Sequence, residues 1–328
     1  MSEPPPSSKR RGRLLRFGAA LVVLLAVAGY LAVQYVTGSR GGPGCEVVSA
    51  KGDGATYEFS PEQAVNAATI TAVGTARGLP ERAVTIALAT ALQESALRNI
   101  DYGDRDSLGL FQQRPSQGWG TPAEIMDPTY ASAKFYDHLV EVPGYTRLPL
   151  TVAAQRVQRS GFPQAYAKHE PDATLLAAAL TGRSAATLTC EGRPGATRVS
   201  GPEAVRAALV RDFGRDALQP AGAEVGAAGP ASTPTASPEQ EGGAGGRTVV
   251  LPVTAEPGSS GERNRGRRGW QLAHWAVANA SALHIQKVTY AGREWTAGHT
   301  DSQWRPVGGA GAAGAEKGAG AVRIVTAQ

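Results

Sequence analysis

The pattern of apolar and polar positions predicts a helical first part of the chain. Up to residue 218, apolar positions recur at helical spacing, and no sustained alternation of apolar and polar residues separates them. Ser60, Pro61 and Gln63 have the form of a capping box, which predicts that a helix starts there. Further helices are predicted to begin at Pro80, Asp127, Leu150, Pro171 and Gly201. We therefore expect an all-α domain over residues 56–218.

The pattern changes in the last third of the chain. Residues 219–246 contain no aromatic residue and consist mostly of Ala, Gly, Pro, Ser and Thr, a composition that predicts a disordered linker. Residues 270–283 have a helical pattern, and short apolar runs predict strands at 248–253, 287–290 and 322–325. Residues 247–328 are thus predicted to form a small α+β domain. Four arginines near its start indicate either a solvated loop or a contact for anionic wall polymers: Arg263, Arg265, Arg267 and Arg268.

The N-terminus has the pattern of a membrane anchor. A basic segment, residues 1–16, precedes residues 17–36, a run of 20 residues without a charge. Twenty helical residues rise about 30 Å, which matches the hydrocarbon thickness of a bilayer. The pattern predicts a single-pass anchor in the plasma membrane, with the basic tail cytoplasmic and a Gly-rich tether, residues 37–55, leading to an extracellular remainder. A cleaved signal peptide is the alternative, although its apolar core is usually shorter.

Charge and cysteine content narrow the classes of function. The net charge is +5, but residues 1–16 hold five basic residues against one acidic residue, so the exported part has no basic excess that would favour nucleic acid. Cys45 and Cys190 both lie on the exported side, where two thiols usually form a disulfide. Two separate buried thiols are the alternative. Cysteines so far apart, with scattered histidines, build no metal site, and we predict no cofactor.

The second predicted helix carries the candidate catalytic residue. Its side chains from Ala83 to Leu92 are apolar nearly all the way round, which indicates a helix buried inside its domain. Glu94 follows at the C-terminal end, where desolvation and the negative end of the helix dipole both raise the pKa of a carboxyl group. A carboxylic acid that is protonated near neutral pH is what cleavage of a glycosidic bond requires. Taken by itself, a solvated helix-terminal glutamate is the alternative.

The residues around Glu94 form an ordered set of motifs. Glu94-Ser95 is followed by Gly109-Leu110-Phe111-Gln112, then by Gly118-Trp119-Gly120 and by Asp127-Pro128 at the start of a helix. This set resembles the lytic transglycosylases of the lysozyme-like superfamily, whose Glu-Ser pair precedes Gly-Leu-Met-Gln, and it is closest to actinobacterial exported proteins. The resemblance covers about residues 56–185. It implies an all-α catalytic domain with a cleft for peptidoglycan glycan strands.

The resemblance also implies a reaction. In that family the glutamate protonates the oxygen between N-acetylmuramic acid and N-acetylglucosamine. It then acts as base toward the muramoyl 6-hydroxyl, which gives a 1,6-anhydro product without hydrolysis. On this chain the acid and base would be Glu94. The residues expected to contact substrate are Ser95, Gly109, Phe111, Gln112, Trp119 and Tyr166.

The sequence leaves several alternatives open. The tyrosine of the family's later Ala-Tyr-Asn motif is matched by Gln158 in helix position and by Tyr166 in residue type. A second carboxylate would make the protein a hydrolysing muramidase, although loop aspartates more often form turns; the candidates are Asp101, Asp104 and Asp106. A non-catalytic peptidoglycan-binding or scaffold protein is the alternative from another class. The segment Gly269–Ala280 resembles a module of secreted actinobacterial wall proteins, which implies a targeting or interaction unit with an unknown partner.

Overall fold

Helices and two small antiparallel sheets make up the structure, a computed structural model that describes residues 44–160, 163–192, 200–218, 247–253, 261–298, 303–307 and 320–327. About half of the described residues are helical. The described residues belong to one compact unit that begins at Pro43. The predicted cytoplasmic tail, membrane anchor and linker lie outside the described residues.

The α-helices of the first part of the chain begin within a residue or two of the predicted starts, except the unpredicted four-residue helix Pro122–Ile125. Ser60 accepts a hydrogen bond from the backbone N–H of Gln63 at 3.3 Å, and the Gln63 side chain accepts one from the backbone N–H of Ser60 at 2.7 Å, so the predicted capping box is confirmed. Short 3-10 helices lie at Pro115–Gln117, Pro163–His169 and Arg215–Leu218. The α-helices are α1 (Pro61–Ala76), α2 (Glu81–Ser95), α3 (Pro122–Ile125), α4 (Pro128–Val140), α5 (Leu150–Gln158), α6 (Glu170–Leu180) and α7 (Pro202–Phe213).

A three-stranded antiparallel sheet accompanies these helices, so the prediction that this part is all-α is wrong. Its strands are β1 (Cys45–Val48), β2 (Thr56–Phe59) and β3 (Leu188–Cys190), in the order β2-β1-β3. β1 lies inside residues 37–55, which the sequence assigned to a tether. Strands of three or four residues are too short to show a clear alternation. The predicted disulfide is confirmed, because Cys45 and Cys190 face each other across β1 and β3 and are bonded.

The last part of the chain forms a helix on a five-stranded antiparallel sheet, as the predicted α+β pattern requires. The sheet order is β4-β8-β5-β6-β7, so β8 lies between β4 and β5. The helix begins nine residues before the predicted Trp270, and the arginine run is therefore helical rather than a loop. The elements are β4 (Thr248–Pro252), α8 (Gly261–Ala278), α9 (Ala280–Leu283), β5 (Ile285–Tyr290), β6 (Arg293–Thr296), β7 (Arg305–Pro306) and β8 (Ala321–Thr326).

Three indole N–H groups join the last part of the chain to the first. Trp295 donates to the carbonyl of Cys190 at 3.1 Å, and Trp304 donates to that of Leu188 at 2.9 Å. Trp275 donates at 2.8 Å to the buried carboxylate of Asp212 on α7. The two parts therefore share one core, in which buried polar groups of one part are satisfied by the other. The domain boundaries within residues 219–246 stay a prediction.

Among the residues that the structure describes, no helix combines the length and the apolar character that crossing a bilayer requires. The predicted anchor at residues 17–36 is not among them.

Candidate active site

Glu94 lies one residue before the C-terminal end of α2, a helix whose central residues are buried. Its side chain is half-buried beside this apolar core. Desolvation raises the pKa of the Glu94 carboxyl above its usual value, and hydrogen bonds from Tyr166 and Gln158 oppose this shift. The net direction is the one that the sequence predicts. A carboxyl in this setting keeps its proton to higher pH than a solvated glutamate.

Tyr166 is a direct polar partner of this carboxyl. Its hydroxyl donates a hydrogen bond to Oε1 of Glu94 at 2.7 Å, and the ring is completely buried. Burial and the neighbouring Glu94 charge raise the pKa of the Tyr166 hydroxyl, so the phenol stays protonated and remains a donor at neutral pH.

Gln158 also affects Glu94. It is the last residue of α5, and its Nε2 donates to the carbonyl of Phe111 at 2.7 Å. The Gln158 amide also lowers the pKa of the Glu94 carboxyl. The sequence left Gln158 and Tyr166 as alternatives for one position; the structure joins the Tyr166 hydroxyl to the candidate acid and the Gln158 amide to the backbone of Phe111.

Ser95 has a structural contact rather than an open surface. Its hydroxyl is buried and donates to the carbonyls of Leu110 at 2.8 Å and Ala91 at 3.1 Å. This hydrogen bond ties the end of α2 to the loop that carries Gly109–Gln112. The donor of Ser95 is thus used inside the protein, and its expected contact with substrate stays a prediction.

Two residues of the Gly109–Gln112 motif also serve the core. Gly109 is buried at φ 74°, and a Cβ atom there would lie 2.7 Å from the carbonyl oxygen of Ile125. The protein's own backbone thus already requires glycine here, and the expected approach of a sugar stays a prediction. Phe111 is completely buried and stacks on Phe135 at 4.7 Å between ring centroids, so it cannot contact substrate in this conformation.

Gln112 and Trp119 are the half-buried members of the predicted substrate set. Gln112 has a left-handed backbone at φ 49°, and its Nε2 lies 3.3 Å from the carbonyl oxygens of Tyr102 and Gly109. The Trp119 ring packs against the core and meets the His138 ring edge-on at 4.4 Å. Both side chains keep an accessible portion, so both remain candidates for contact with a ligand.

The loop aspartates are either exposed or hydrogen-bonded within their own loop. Asp101 and Asp104 are exposed. Asp106 accepts hydrogen bonds from Nε of Arg114 at 2.7 Å and from the backbone N–H of Ser116 at 2.9 Å. The side chain of Ser116 and then Arg114 hold the pKa of the Asp106 carboxyl well below the usual range. No acidic side chain of the described residues contributes to the pKa shift of Glu94. Asp106 is therefore an ionised residue that holds its loop in place.

A glutamine and a histidine extend the site beyond the sequence prediction. Nε2 of His169 lies 3.2 Å from Oε1 of Gln93, the residue that precedes Glu94. Burial and the nearby Lys168 lower the pKa of His169, which favours its neutral form. The position of Gln93 next to Glu94 was the only available signal, since the contact joins residues far apart in sequence.

Two further observations concern metal and ligand binding. Among the described residues, no group of His, Cys, Asp and Glu side chains could hold a metal ion. A cleft of about 460 Å³ lies between the β1–β2 turn and α6, and its lining includes Lys51, Leu175 and Arg183 but not Glu94. We therefore place the candidate site at Glu94, because of its chemistry, and not in this cleft.

Comparison with known proteins finds a match for the last part of the chain. Residues 246–317 match the sequence model of a family described as VldE, C-terminal domain. No curated protein matches the chain. The match covers well under half of the chain and includes α8 and the strands β4 to β7 but not β8.

Proposed function

We propose that this protein is a peptidoglycan lytic transglycosylase with a lysozyme-like catalytic domain, in which Glu94 acts first as acid and then as base. The observation that carries the proposal is the half-buried carboxyl of Glu94, with a raised pKa and with the Tyr166 hydroxyl at 2.7 Å. The order of the motifs from Glu94-Ser95 to Gly109–Gln112 supports the same assignment.

The reaction follows from these groups. Protonated Glu94 donates its proton to the glycosidic oxygen while the bond between that oxygen and C1 of N-acetylmuramic acid breaks. The resulting carboxylate is stabilised by the donors of Tyr166 and Gln158. The muramoyl 6-hydroxyl oxygen then bonds to C1, and its proton passes to Glu94. The products are a free 4-hydroxyl and a 1,6-anhydro end, no water is consumed, and the acid is restored.

The surroundings of Glu94 favour this reaction over hydrolysis. Glycoside hydrolases use two carboxyl groups, about 5 Å apart when they retain configuration and about 6.5–9.5 Å apart when they invert it. Asp106 is bound by Arg114 and Ser116, and no acidic residue of the described part of the chain shifts the pKa of Glu94. One carboxyl that serves as acid and base suffices for a transglycosylase.

The proposal includes a location. The anchor predicted at residues 17–36 would hold the protein in the plasma membrane, with its N-terminus cytoplasmic and the catalytic domain facing the cell wall. The Cys45–Cys190 disulfide supports an oxidising compartment outside the cytoplasm. Peptidoglycan glycan strands would be the substrate, and neither a cofactor nor nucleic acid takes part.

Product analysis by mass spectrometry tests the proposal. The full chain is incubated with peptidoglycan, alongside Glu94→Gln and the control Glu141→Gln, which changes an exposed glutamate. We expect anhydro-muropeptides from the unchanged protein and the control, and none from Glu94→Gln. Reducing ends instead would identify a muramidase. Sedimentation with peptidoglycan without released fragments would identify a non-catalytic binding protein.

A further inference from the structure

We infer that the amide nitrogen of Gln93 is a specificity-determining donor beside the candidate acid, and that it binds the acetamido carbonyl of an N-acetylated sugar. This contact rests on the proposed function and deepens it, since it names a second point at which the site would hold its substrate. Gln93 directly precedes Glu94 near the end of α2, and its side chain is half-buried. Its two polar atoms are used unequally.

One short 3-10 helix contacts Gln93 and Glu94 together. The hydroxyl of Tyr166 donates to Oε1 of Glu94 at 2.7 Å, and Nε2 of His169 lies 3.2 Å from Oε1 of Gln93. Both contacts come from the helix Pro163–His169, in which Tyr166 and His169 are three residues apart. That spacing places two residues on the same side of a 3-10 helix, about 6 Å apart along its axis. The amide and the candidate acid therefore lie next to each other along this helix.

The contact with His169 uses the oxygen of the Gln93 amide. Because Oε1 of Gln93 only accepts hydrogen bonds, Nε2 of His169 is the donor in this pair. His169 occupies the N-cap position of α6, where the positive end of the helix dipole disfavours an imidazolium ion. Burial and the nearby Lys168 also lower the pKa of His169. A neutral imidazole thus holds the amide oxygen and leaves the amide nitrogen to donate elsewhere.

The amide nitrogen of Gln93 has no such contact. Within the part of the chain that the structure describes, Nε2 of Gln93 has no hydrogen-bond partner, and it is not one of the buried polar atoms that lack a partner. It is therefore accessible from solvent. Three glutamines in and around the motif loop differ, because each donates from its amide nitrogen to a backbone carbonyl: Gln112, Gln113 and Gln158.

The chemistry of this pair favours a neutral acceptor. Gln93 and the neutral His169 carry no charge, so a carboxylate would gain no ion pair from them. The acetamido carbonyl is the strongest neutral acceptor on a peptidoglycan sugar, since amide oxygens accept more strongly than hydroxyl or ether oxygens. A sugar whose carbonyl accepts from Gln93 while its glycosidic oxygen meets Glu94 would be held at two points, which favours reaction.

Binding of peptide-free glycan strands tests the role of Gln93. The full chain carries Glu94→Gln, so that strands bind without cleavage, and dissociation constants are measured for N-acetylated strands and for the same strands after removal of their acetyl groups. Addition of Gln93→Leu should weaken binding of the N-acetylated strands about three- to tenfold, the effect of one lost hydrogen bond. Binding of the de-N-acetylated strands should not change. The charge of the freed amines acts on both proteins alike, so the ratio of the two effects reports the acetamido contact.

Further variants separate this contact from a general loss of structure. His169→Gln retains a donor close to the position of Nε2 and should keep the selectivity for N-acetylated strands, whereas His169→Leu should reduce it. Gln164→Leu changes an exposed glutamine of the same 3-10 helix and should leave both dissociation constants unchanged. Gln93→Met, with an unbranched side chain of similar length, replaces Gln93→Leu if thermal unfolding shows that the latter does not fold.

Release of anhydro-muropeptides is measured in parallel on chains that retain Glu94. Unchanged binding in a folded Gln93 variant, or equal weakening for both kinds of strand, would overturn the role of the amide nitrogen. Acetyl selectivity that depends on Gln93 in a protein that releases no fragments would overturn the proposed function but not this contact. A chain that binds neither kind of strand would overturn both.

Discussion

The carboxyl of Glu94 is subject to two opposing influences. Desolvation favours its protonated form, whereas the donors of Tyr166 and Gln158 favour its ionised form. An acid that gives up a proton and then recovers it needs both forms within reach, and the two influences together provide this. The side chains that set the pKa of Glu94 belong to three different elements, so the contribution of each side chain can be tested separately.

Glu94→Gln should abolish activity while it stabilises the fold near neutral pH. Removal of a general acid typically costs about 10²–10⁴-fold in rate. Because the folded-state pKa of Glu94 is raised, its stability contribution is present below the usual glutamate pKa and is lost as pH rises through the folded-state value. The neutral amide avoids this loss. Thermal unfolding at pH 7 and at pH 4 should show a higher melting temperature for the variant only at pH 7.

The outcome that contradicts this prediction is equally specific. If Glu94→Gln and the wild type melt alike at both pH values, the carboxyl is not desolvated enough to matter. Glu141→Gln provides the comparison, since that carboxyl is exposed and its replacement should change the melting temperature at neither pH.

At the scale of elements, the sequence predicts helix starts well and short strands poorly. The capping residues Ser60 and Asp127 mark the first turns of α1 and α4, because capping depends on neighbours in sequence. β1 and β3 acquire their partners across 145 residues, which no local pattern records. The start of α8 was missed because two glycines, Gly266 and Gly269, interrupt its arginine-rich first turns. Gly269 is needed there, since a Cβ atom would overlap the ring of Tyr290.

The candidate site, too, could be predicted only where it depends on neighbours in sequence. The motifs pointed to Glu94, and the residue type of Tyr166 pointed to a partner. Three motif residues contact protein groups that are distant in sequence: Ser95, Gly109 and Phe111. The sequence alone therefore could not show that these residues are packed inside the protein. The motif therefore selected candidate residues, but it did not distinguish side chains that are accessible to a ligand from side chains that pack inside the loop.

Gly109→Ala should destabilise the motif loop. The substitution places a Cβ atom 2.7 Å from the carbonyl of Ile125 and imposes a left-handed conformation on alanine, which together should cost about 2–4 kcal/mol. Gly118→Ala is the matched control, because its φ is 81° but nothing lies within 4 Å, so only the backbone cost of about 1 kcal/mol applies. Denaturant unfolding measures both. Equal losses would show that the contact with Ile125 does not constrain the loop.

At the scale of the whole molecule, the last part of the chain completes the first. Besides the three indole contacts, His274 is completely buried and donates from Nδ1 to the carbonyl of Ala179 at 2.8 Å, while its Nε2 accepts from the backbone N–H of Thr187 at 3.3 Å. Both imidazole nitrogens are thus used across the contact. Without the last part of the chain, the carbonyl of Ala179 on α6 and the backbone N–H of Thr187 before β3 would lose these hydrogen bonds.

Cleavage of the predicted linker tests whether the two parts of the chain fold as one unit. A protease site placed within residues 219–246 and cut after folding should leave two fragments that elute together in size-exclusion chromatography, because the shared core and the indole contacts survive the cut. A chain that ends at residue 218 should instead fail to give a cooperative unfolding transition. Separation of the cut fragments into two folded species would contradict the shared core.

His274 makes this contact sensitive to acid. Burial lowers the pKa of His274 to about 4, whereas the unfolded chain takes up the proton near its ordinary value of 6.5. The unfolded state therefore binds more protons in this window, and stability should fall by about 3 kcal/mol as pH drops from about 6.5 to 4. His274→Asn, whose amide nitrogen replaces the Nδ1 donor, should weaken this dependence. Unfolding by denaturant at several pH values measures it, and an equal slope in both proteins would refute it.

The place of β8 in its sheet has a consequence for biosynthesis. Among the described strands, β4 hydrogen bonds only to β8, and β8 is made about seventy residues later. During translation, β4 must therefore wait with both edges open, while the intervening β5-β6-β7 meander can already pair. The interval between the synthesis of these two strands is when a neighbouring nascent chain is best able to pair with β4, so slow translation of the intervening residues should favour strand-exchanged dimers.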